Sequence, residues 1–467
     1  MGTSTTGELA GRPALPRAQR ATLAGWGRYP LAASDVFRPE KLDELRAVVS
    51  SDSTSIIARG AGRAYGDAAL NADNRVVNIE RLNRMLAFDT DTCVLRCEAG
   101  VTLAEVIDVF LPRGFFPPVT PGTRQVTLGG SVAADVHGKN HHRQSSLGSH
   151  VLSLDVMLAS GEVRRCSRAQ NADLFWATVG GMGLTGVIVE LEIRLRTVAS
   201  AYLRGEVIRA ANLDAAIEAF ERTDGQYGNS VAWIDCASTG GSLGRSVLTV
   251  GDFAERDALD ARRRQAPYRT GAHARAIIPL DLPGFALNSF SVRLFNEAWW
   301  RLHRSSGAQQ LFDYDSFFYP LDSIHHWNRM YGRRGFVQYQ SVWPEAQSRA
   351  GLVEVVEAIA RSRRGSFLTV LKKFGAQEGM LSFPMPGYTL ALDFPVTDGL
   401  LDFLDTLDAM VLKRGGRVYL AKDARLRPEM FHAMYPGLAK WREVKSSVDP
   451  QRRFSSSLSR RLLMQES

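Results

Sequence analysis

The sequence predicts an α+β fold in two domains. Its 467 residues are 45% hydrophobic and 23% charged, which is ordinary for a globular chain and excludes disordered, collagenous and coiled-coil proteins. At about 150 residues per domain, this length leads us to expect one or two sizeable cores. Strand patterns of period two alternate with amphipathic helical patterns, and the texture changes near residue 200, where we place the start of a second α+β domain.

The first predicted elements lie before residue 60. Residues 1 to about 20 carry arginines and prolines but no apolar run, so we expect a loose arm there. The pattern of apolar residues then predicts a helix over residues 39–49 and a short strand over residues 55–58. These elements open the first predicted domain.

The rest of the first domain contains one helix with a clear start and two strands. Thr102 and Glu105 form a capping-box pair, which predicts a helix over residues 102–111. Residues 151–158 and 187–196 have strand patterns, and the second run alternates apolar and polar residues throughout. That alternation is typical of a half-buried strand.

The second domain is predicted from residue 201 onwards. Alternating strands are expected at residues 336–342 and 388–394, and an amphipathic helix at residues 400–412. Residues 256–280 are basic, and we interpret them as a solvated helix or mobile loop, with contact to anionic lipid headgroups as a hypothesis. The arginines of this stretch are Arg256, Arg262, Arg263, Arg264, Arg269 and Arg275.

The chain carries a net charge of +8, which favours an anionic partner. Nucleic acid, an acidic membrane surface and a phosphorylated ligand all satisfy that requirement. No zinc-finger or RRM signature occurs, so we expect no nucleic-acid partner. No run of about 18 apolar residues and no apolar core of a signal peptide occurs either, so we expect a cytoplasmic protein or one attached peripherally to the plasma membrane.

Four cysteines in so long a chain do not make a disulfide framework. Cys93 and Cys97 lie four residues apart in a segment with a strand pattern, which predicts both on one face as buried, inert thiols. No Cys-x-x-Cys pair suggests a zinc site. A reduced fold is therefore expected.

Gly181, Gly183 and Gly186 satisfy the G-x-G-x-x-G spacing of dinucleotide-binding proteins. That fingerprint works only where the glycines follow a strand and open a helix. Here the residues that follow alternate with period two, so the glycines open a strand instead. A nicotinamide-binding Rossmann site is not expected at this position.

Two other glycine-rich segments point to a bound phosphate or a flat ring, because glycines leave little side-chain bulk between the backbone and a ligand. The first segment is Ala58, Arg59, Gly60, Ala61, Gly62, Arg63, Ala64, Tyr65, Gly66 and Asp67. The second runs from residue 120 to residue 142, and its candidate contacts are Gly122, Thr127, Leu128, Gly129, Gly130, Ala134, Asp135, Val136 and His137.

These two segments, together with residues 173–188, resemble the FAD-binding domain of flavoenzymes of the vanillyl-alcohol-oxidase type. In that family the cofactor diphosphate lies on glycine loops. The resemblance implies an FAD domain split into residues 1–200 and 417–467, with a substrate domain carrying an antiparallel sheet inserted at residues 201–416. It adds Ile188 and Tyr419 to the cofactor contacts.

The flavin is expected to be non-covalent. Members of the family that bind flavin covalently often place a His in the first glycine loop, where this chain has Arg63 and Ala64. The resemblance therefore implies FAD held by contacts alone.

Within the family, the chain is most similar to the flavoprotein subunits of decaprenylphosphoryl-ribose 2′-epimerases. The strings that carry this likeness are His137-Gly-Lys-Asn-His-His, Ala421-Lys-Asp-Ala-Arg and Phe431-His-Ala-Met-Tyr-Pro. The likeness implies oxidation of the 2′-hydroxyl of a polyprenylphosphoryl ribose, with an NAD-dependent short-chain reductase completing the epimerisation. It also leaves the periplasmic face of the envelope open as a location.

The same resemblance implies roles for individual side chains. Lys422 is the expected base for the hydroxyl proton, with Tyr65 and His137 beside it. The expected substrate contacts are Gln340, Thr389 and Tyr319 for the sugar, and Lys139 and Lys372 for its phosphate. The family commonly has a Cys where this chain has Ala391 and an Asn where it has Thr389, so catalysis should need no thiol there and substrate contacts should differ.

Alternative interpretations remain for these residues. Lys422 and its neighbour Asp423 could instead form an ion pair on the surface, with no role in catalysis. His137 and His141 have the spacing of two metal ligands on one helix face, but Gly138 argues against a helix there, and we expect no metal. An alditol or aldonolactone oxidase using oxygen is the competing function, and a basic nucleic-acid-binding protein is a competitor of another class.

Overall fold

The computed structural model describes residues 15–51, 54–270, 276–283, 287–303, 305, 308–366 and 368–466. Within these residues the chain forms strands β1–β21 and helices α1–α14. The strands are β1 (Gln19–Ala24), β2 (Leu31–Phe37), β3 (Ile56–Arg59), β4 (Arg75–Asn78), β5 (Met85–Asp89), β6 (Val94–Glu98), β7 (Phe115–Phe116), β8 (Val151–Met157), β9 (Val163–Ser167), β10 (Val187–Arg194), β11 (Arg196–Thr197), β12 (Tyr202–Ala210), β13 (Asn229–Ile234), β14 (Ser246–Phe253), β15 (Ala276–Ile277), β16 (Gln310–Asp313), β17 (Ile324–His325), β18 (Phe336–Pro344), β19 (Thr369–Phe374), β20 (Gly387–Pro395) and β21 (Arg417–Val418).

The helices lie between these strands and at the C-terminal end of the described chain. They are α1 (Leu42–Val49), α2 (Leu103–Phe110), α3 (Leu128–Ala133), α4 (His141–Gln144), α5 (Ala172–Thr178), α6 (Leu213–Asp224), α7 (Ala261–Gln265), α8 (Ser289–Leu302), α9 (Tyr314–Phe318), α10 (Glu345–Ser362), α11 (Leu400–Lys413), α12 (Pro428–Met434), α13 (Leu438–Val448) and α14 (Ser457–Arg461). The mixture of helices and sheets agrees with the predicted α+β class.

Residues before about 200 form two principal sheets. The first has the strand order β1-β2-β4-β3, with β4 parallel to both β2 and β3. The second has the order β5-β6-β10-β8-β9 and is antiparallel. One apolar core joins these sheets to α2, α3 and α5, and its members include Val106, Val132 and Phe175.

The largest sheet is antiparallel and has eight strands in the order β16-β12-β14-β13-β19-β20-β18-β21. Helices α10 and α11 pack on one of its faces through buried apolar side chains such as Val355, Leu404 and Trp343. The other face of its central strands carries polar residues. The first strand of this sheet along the chain is β12, which begins at Tyr202, and this agrees with the second α+β region predicted to start near residue 200.

The C-terminal segment returns to the first sheet. Ile56 forms a parallel bridge with Phe454, and the Ile56 amide donates to the Arg453 carbonyl over 2.9 Å. β21, which begins at Arg417, pairs instead with β18 of the large sheet. The boundaries at residues 200 and 416 stay a prediction, but residues 449–461 are attached to the N-terminal part of the chain.

Most predicted elements are confirmed within one to three residues. The Thr102 hydroxyl accepts from the Glu105 amide, while the Glu105 carboxylate accepts from the Thr102 amide, which is the capping box that the sequence predicts. Strands β8, β10, β18 and β20 occupy their predicted segments, as do helices α1 and α11. The glycines before β10 do open a strand, as their context predicted.

Two local predictions are wrong. β1 begins at Gln19 and pairs with β2, so the loose arm does not reach residue 20, and residues 1–14 lie outside the described chain. Cys93 lies in the turn before β6 with φ 58° and is only half-buried, whereas Cys97 is buried in the strand. The turn between β5 and β6 takes Cys93 off the face that Cys97 occupies.

The basic stretch folds only in part as expected. Residues 261–265 form the short helix α7, whose N-terminus is capped by Asp260. Arg263 pairs with Asp260, and the Arg264 guanidinium donates to backbone carbonyls of the same segment. Arg275 lies outside the described residues. Among the helices that the structure describes, none is both long and apolar enough to cross a bilayer.

One buried ion-pair network ties the two ends of the chain together. The Arg461 guanidinium, at the end of α14, donates to the carboxylates of Asp67 and Asp423 over 2.8 Å each. Both carboxylates are almost fully buried. Asp67 follows the first glycine loop and Asp423 follows Lys422, so this guanidinium joins both segments to the C-terminal helix.

Removing Arg461 should therefore destabilise the protein strongly. Arg461→Leu leaves two buried carboxylates without their cation, and we expect the free energy of unfolding to fall by about 3 kcal/mol or more. Arg349→Leu is the matched control, because Arg349 pairs with Asp214 on the surface, and it should cost at most about 1 kcal/mol. Urea denaturation followed by tryptophan fluorescence measures both, and equal losses would contradict the interpretation.

Candidate active site

A cavity of about 660 Å³ lies between the glycine loops and the polar face of the large sheet. Its sheet side is formed by alternate residues of three adjacent strands. These are Gln338 and Gln340 of β18, Thr389 and Ala391 of β20, and Val370 and Lys372 of β19. Because side chains two apart share a face, one register places all six against the cavity.

The first glycine loop approaches neighbouring backbone closely. A Cβ on Gly66 would lie 1.6 Å from the Asp423 carbonyl oxygen, and one on Gly25 would lie 2.5 Å from the Tyr65 carbonyl oxygen. The Tyr65 amide donates to the Ala421 carbonyl over 2.9 Å. These glycines therefore allow the loop to lie directly against the segment that carries Lys422.

Arg59 holds the first glycine loop from a position outside the cavity lining. Its guanidinium donates to the Ala24 carbonyl over 2.7 Å and to the Ala69 carbonyl over 3.3 Å. Gly62 has φ 65°, and a Cβ there would lie 2.3 Å from this guanidinium. Arg59 thus shapes the loop and does not line the cavity.

The second glycine loop meets the first at Gly60. A Cβ on Gly60 would lie 2.1 Å from Thr127 Oγ1. That oxygen caps α3 by accepting from the Gly130 amide over 3.3 Å. Backbone from both loops therefore forms one wall, with Gly122 facing open space beside it.

Asp135 fixes the turn that brings His137 into the cavity. It has φ 43° and is fully buried, and its carboxylate accepts hydrogen bonds from the Ser146 and Ser382 hydroxyls and the Gly148 amide. Burial raises the pKa of Asp135, while these donors oppose that rise. Asp135 therefore positions the loop without touching the cavity.

His137 and Gln340 form a hydrogen-bonded pair on the cavity wall. Gln340 Nε2 lies 2.9 Å from His137 Nε2 and 3.2 Å from Thr389 Oγ1. Burial, together with the positive charges of Lys372 and Lys422, holds the pKa of His137 well below its usual value, so the imidazole is neutral. Since an amide N–H can only donate to Nε2, the ring proton is on Nδ1, which is buried and has no partner among the described residues.

Lys422 lines the cavity shortly after β21, the edge strand of the large sheet. Its Nζ is 3.6 Å from the centroid of the Tyr65 ring, a cation–π distance. Asp423 is bound to Arg461 instead, so the surface ion pair considered from the sequence is absent from this position. Burial lowers the pKa of Lys422, a direction that Lys372 reinforces and Asp393 opposes.

Asp393 is a site residue that the sequence reasoning missed. Its carboxylate accepts from Gln338 Nε2 over 2.6 Å and from the Tyr331 hydroxyl over 3.1 Å. Burial raises the pKa of Asp393, while Gln338 and the charge of Lys422 lower it. The signal was present, because Thr389, Ala391 and Asp393 are spaced two apart and share one face of β20.

Lys372 presents a second amine to the cavity. Burial lowers the pKa of Lys372 to about 8. Within the described ranges its Nζ makes no hydrogen bond or ion pair. The site therefore contains a cation without a protein anion beside it.

The structure places most of the predicted residues in the cavity lining. The predicted residues that line it are Ala58, Gly60, Ala61, Gly62, Arg63, Ala64, Tyr65, Gly122, Thr127, Gly129, Gly130, Ala134, Val136, His137, Ile188, Gln340, Lys372, Thr389, Tyr419 and Lys422. Those outside the lining are Arg59, Gly66, Asp67, Leu128, Asp135, Lys139 and Tyr319.

Lys139 and Tyr319 face other partners. Lys139 Nζ donates to the Phe317 carbonyl, and burial lowers the pKa of Lys139 to about 7. The Tyr319 hydroxyl lies 2.5 Å from Thr120 Oγ1, and burial raises the pKa of that phenol. Both side chains are bonded to other protein groups and do not line the cavity. The expectation that they contact substrate therefore does not match their placement.

The sequence reasoning also missed part of the far wall. Trp26, Leu321, Asp322 and His325 line the cavity. The Arg63 guanidinium stacks on Trp26, with Cζ 4.2 Å from its ring centroid. His137 and His141 belong to no cluster of three or more potential metal ligands within the part of the chain that the structure describes.

The similarity of the chain to known proteins agrees with this geometry. Residues 33–167 match the FAD binding domain family. Decaprenylphosphoryl-β-D-ribose oxidase of Mycolicibacterium smegmatis is 39% identical over 450 residues, which cover 94% of this chain and 97% of that protein. The chain belongs to the decaprenylphosphoryl-β-D-ribose oxidase family.

Other relatives match less of the chain. An uncharacterised protein in the mprA 5′ region of Streptomyces coelicolor is 34% identical over 78% of this chain and the whole of that protein. Bovine L-gulonolactone oxidase is 26% identical over 173 residues, which cover 36% of this chain and 39% of that protein. The match to the decaprenylphosphoryl-β-D-ribose oxidase, which covers 94% of this chain, therefore includes the large sheet, whereas the match to L-gulonolactone oxidase covers only 36% of the chain.

The cavity has features that fit FAD. Arg63 lines the cavity, and its Nε is buried and has no hydrogen-bond partner among the described residues. Gly60 and Gly62 place bare backbone along the same wall. An unpartnered donor beside a glycine-lined wall suits a cofactor with phosphate and ring acceptors.

Disrupting the contact between the two glycine loops should lower the affinity for FAD. In Gly60→Ala the new methyl group displaces Thr127 and its cap on α3, and we expect FAD affinity to fall by about tenfold or more. Flavin absorbance per protein after gel filtration, and the Kd for added FAD, measure the effect.

Gly225→Ala is the control, because a Cβ at Gly225 meets nothing within 4 Å. That variant should keep its flavin. Full FAD content in Gly60→Ala would contradict the role assigned to the contact.

Proposed function

We propose that the chain oxidises the 2′-hydroxyl of a polyprenylphosphoryl-β-D-ribose to the 2′-ketone, with non-covalent FAD as the hydride acceptor. The observation that carries the proposal is the pair of buried amines, Lys422 and Lys372, in a cavity built on the FAD binding domain. The name of the mycolicibacterial relative supports the choice of sugar. The arabinose epimer would then be completed by an NAD-dependent short-chain reductase as partner.

Lys422 would accept the hydroxyl proton. When bound, FAD takes up the hydride that leaves the carbinol carbon as the C=O bond forms. The O–H proton needs a base within hydrogen-bond reach, and the lowered pKa of Lys422 makes its neutral amine available nearer to physiological pH. Tyr65 holds that amine through the cation–π contact when it is protonated.

His137 and Gln340 would orient the sugar. The neutral imidazole offers its Nδ1–H as a donor, and Gln340 is fixed by its contacts with His137 and Thr389. A donor at a defined position holds a hydroxyl or a ring atom in place without adding charge. Ala391, opposite Gln340 in the sheet, leaves room beside this pair.

Lys372 would bind the substrate phosphate. An unpaired ammonium in a partly enclosed site is stabilised by an anion, and a phosphate supplies one. Lys139 lies close enough for its charge and that of Lys372 to oppose each other, but it donates to the Phe317 carbonyl. We therefore assign phosphate recognition to Lys372, with Lys139 adding to the positive potential.

The rest of the function follows from the lipid substrate. A polyprenyl chain resides in a membrane, so we propose peripheral contact with an anionic membrane surface. FAD would be non-covalent, because Arg63 is stacked on Trp26 at the position where covalent members place a His. No role in nucleic-acid binding is needed to account for the excess of basic residues.

The competing function is an alditol or aldonolactone oxidase that uses oxygen. Its support is the partial likeness to bovine L-gulonolactone oxidase, which covers 36% of this chain. An unphosphorylated polyol would leave Lys372 unpaired. The buried amine therefore favours the phosphorylated sugar.

Anaerobic mixing separates the two functions. Polyprenylphosphoryl ribose should bleach the flavin absorbance of the purified holoprotein, because hydride transfer reduces FAD, whereas L-gulonolactone and sorbitol should not. Lys372→Met should raise the KM for the phosphorylated sugar much more than it lowers kcat. Bleaching by the lactone or polyol but not by the ribose lipid would refute the proposal.

The rate of flavin reduction should depend on the protonation of Lys422. Lys422→Met and Lys422→Arg should each reduce it by about 100-fold or more, because neither offers a neutral amine. In the wild type the rate should rise as pH rises through the lowered pKa of Lys422. Stopped-flow absorbance across pH measures this rise.

Asp393→Asn tests whether the negative charge of Asp393 sets the pKa of Lys422. The Asp393 carboxylate raises the pKa of Lys422, so its removal should move the rising limb to lower pH. Lys440→Met, at an exposed position, should leave both rate and profile unchanged. A wild-type profile in Asp393→Asn would contradict the electrostatic coupling.

A further inference from the structure

Helix α8 presents an apolar stripe to solvent. The apolar stripe consists of Phe290, Leu294, Ala298 and Leu302, which are spaced four residues apart and so lie on one face. Phe290 is 75% exposed, Leu294 62% and Leu302 78%. Large apolar side chains in a continuous row on the surface mark a site of interaction.

The opposite face of α8 is firmly attached. Val292 and Asn296 are buried, and Asn296 Nδ2 donates to Asp235 Oδ1 over 2.7 Å. Trp300 packs under the guanidinium of Arg209, 4.8 Å from its ring centroid. The exposure of the apolar stripe is therefore a feature of a docked helix with two apolar faces.

A second exposed apolar group lies beside the cavity. This rim segment comprises Ile277, Leu280 and Leu282, of which Leu280 is 74% exposed. β15, which contains Ile277, pairs with β17, whose residues line the cavity. The Leu282 amide donates to the Arg329 carbonyl over 3.1 Å.

The start of α8 meets the same part of the wall. Val292 and Ser289 share a small pocket with Tyr331, and a Cβ on neighbouring Gly332 would lie 2.9 Å from the Leu282 carbonyl oxygen. The N-terminal end of α8 and the rim segment thus both lie beside Tyr331 and Gly332. The helix that carries the stripe therefore begins close to the part of the wall where the rim segment is attached.

The charges around the stripe match an anionic surface. Arg293 and Arg301 are exposed on α8, and its one acidic residue, Glu297, is paired with Arg245 and Arg301. Exposed Phe and Leu flanked by Arg is the composition of a helix that lies in a lipid headgroup region. Arg263 and Arg264 of the basic stretch bond within the chain, as Arg301 does, whereas no ion pair of Arg293 occurs among the described residues.

A second copy of the chain fits the stripe less well. A single helical row offers much less than the ~800 Å² per partner of a stable interface. A bilayer does not impose that requirement.

We propose that the apolar stripe and the rim segment insert into an anionic lipid bilayer and set the cavity against the membrane surface. This inference rests on the proposed function for its purpose, since a lipid-linked substrate has to pass from the bilayer into the cavity. The contact itself depends only on the stripe, the rim segment and the flanking arginines.

Vesicle co-sedimentation of the holoprotein tests the contact. The probes are phosphatidylcholine vesicles with and without phosphatidylglycerol. Phe290→Ser with Leu294→Ser should lower partitioning into the anionic vesicles by about tenfold or more, because two apolar side chains no longer insert. Leu31→Ser with Leu86→Ser removes two exposed leucines elsewhere and should leave partitioning unchanged.

A second measurement separates this inference from the proposed function. Flavin reduction by a short-chain, water-soluble prenylphosphoryl ribose should be equal in the wild type and the stripe variant. Failure of that reduction in the wild type would refute the function and leave the sedimentation result standing. Absence of wild-type binding, equal binding by the stripe variant, or a lipid-free dimer that the stripe variant abolishes would each overturn the membrane contact.

Discussion

The site depends on one close contact between two backbones distant in sequence. Gly66 lies against the Asp423 carbonyl so closely that a Cβ would be 1.6 Å from its oxygen, and the Arg461 guanidinium binds the carboxylates of Asp67 and Asp423 beside this contact. This contact brings Tyr65 of the first glycine loop next to Lys422. The same stretch of chain that shapes the glycine-loop wall therefore also fixes the Lys422 amine, and a shift of either backbone would alter both.

The large sheet supplies the other half of the site through its register. Gln340, Ala391 and Val370 stand opposite one another in β18, β20 and β19, and Thr389 and Lys372 stand in the next row on the same face. The glycine loops provide shape with few side chains, whereas the sheet provides functional groups on rigid strands. A cavity between two such surfaces can hold a flat cofactor and still address a sugar from the opposite side.

Local signals made much of this arrangement predictable, and distant contacts did not. The capping box at Thr102 and the two-residue period of β10 depend on neighbours in the sequence, so their elements were predicted closely. The roles of Asp393 and Lys139 depend on strand register and on a carbonyl 178 residues away, at Phe317. Family resemblance located the glycine loops, but only the folded chain separates residues that line the cavity from those that support it.

Buried positive charge explains why the cavity suits an anionic ligand. Lys372 and Lys422 are both desolvated, and each lowers the pKa of His137, while Asp393 alone supplies a compensating negative charge to Lys422. Burying unpaired cations costs folding free energy, which other parts of the protein have to offset. A phosphate group placed beside these amines would offset that cost, which is why we propose a phosphorylated sugar as the substrate. On this basis we assign proton exchange to Lys422, which has Asp393 as a counter-charge, and phosphate binding to Lys372, which has no carboxylate beside it among the described residues.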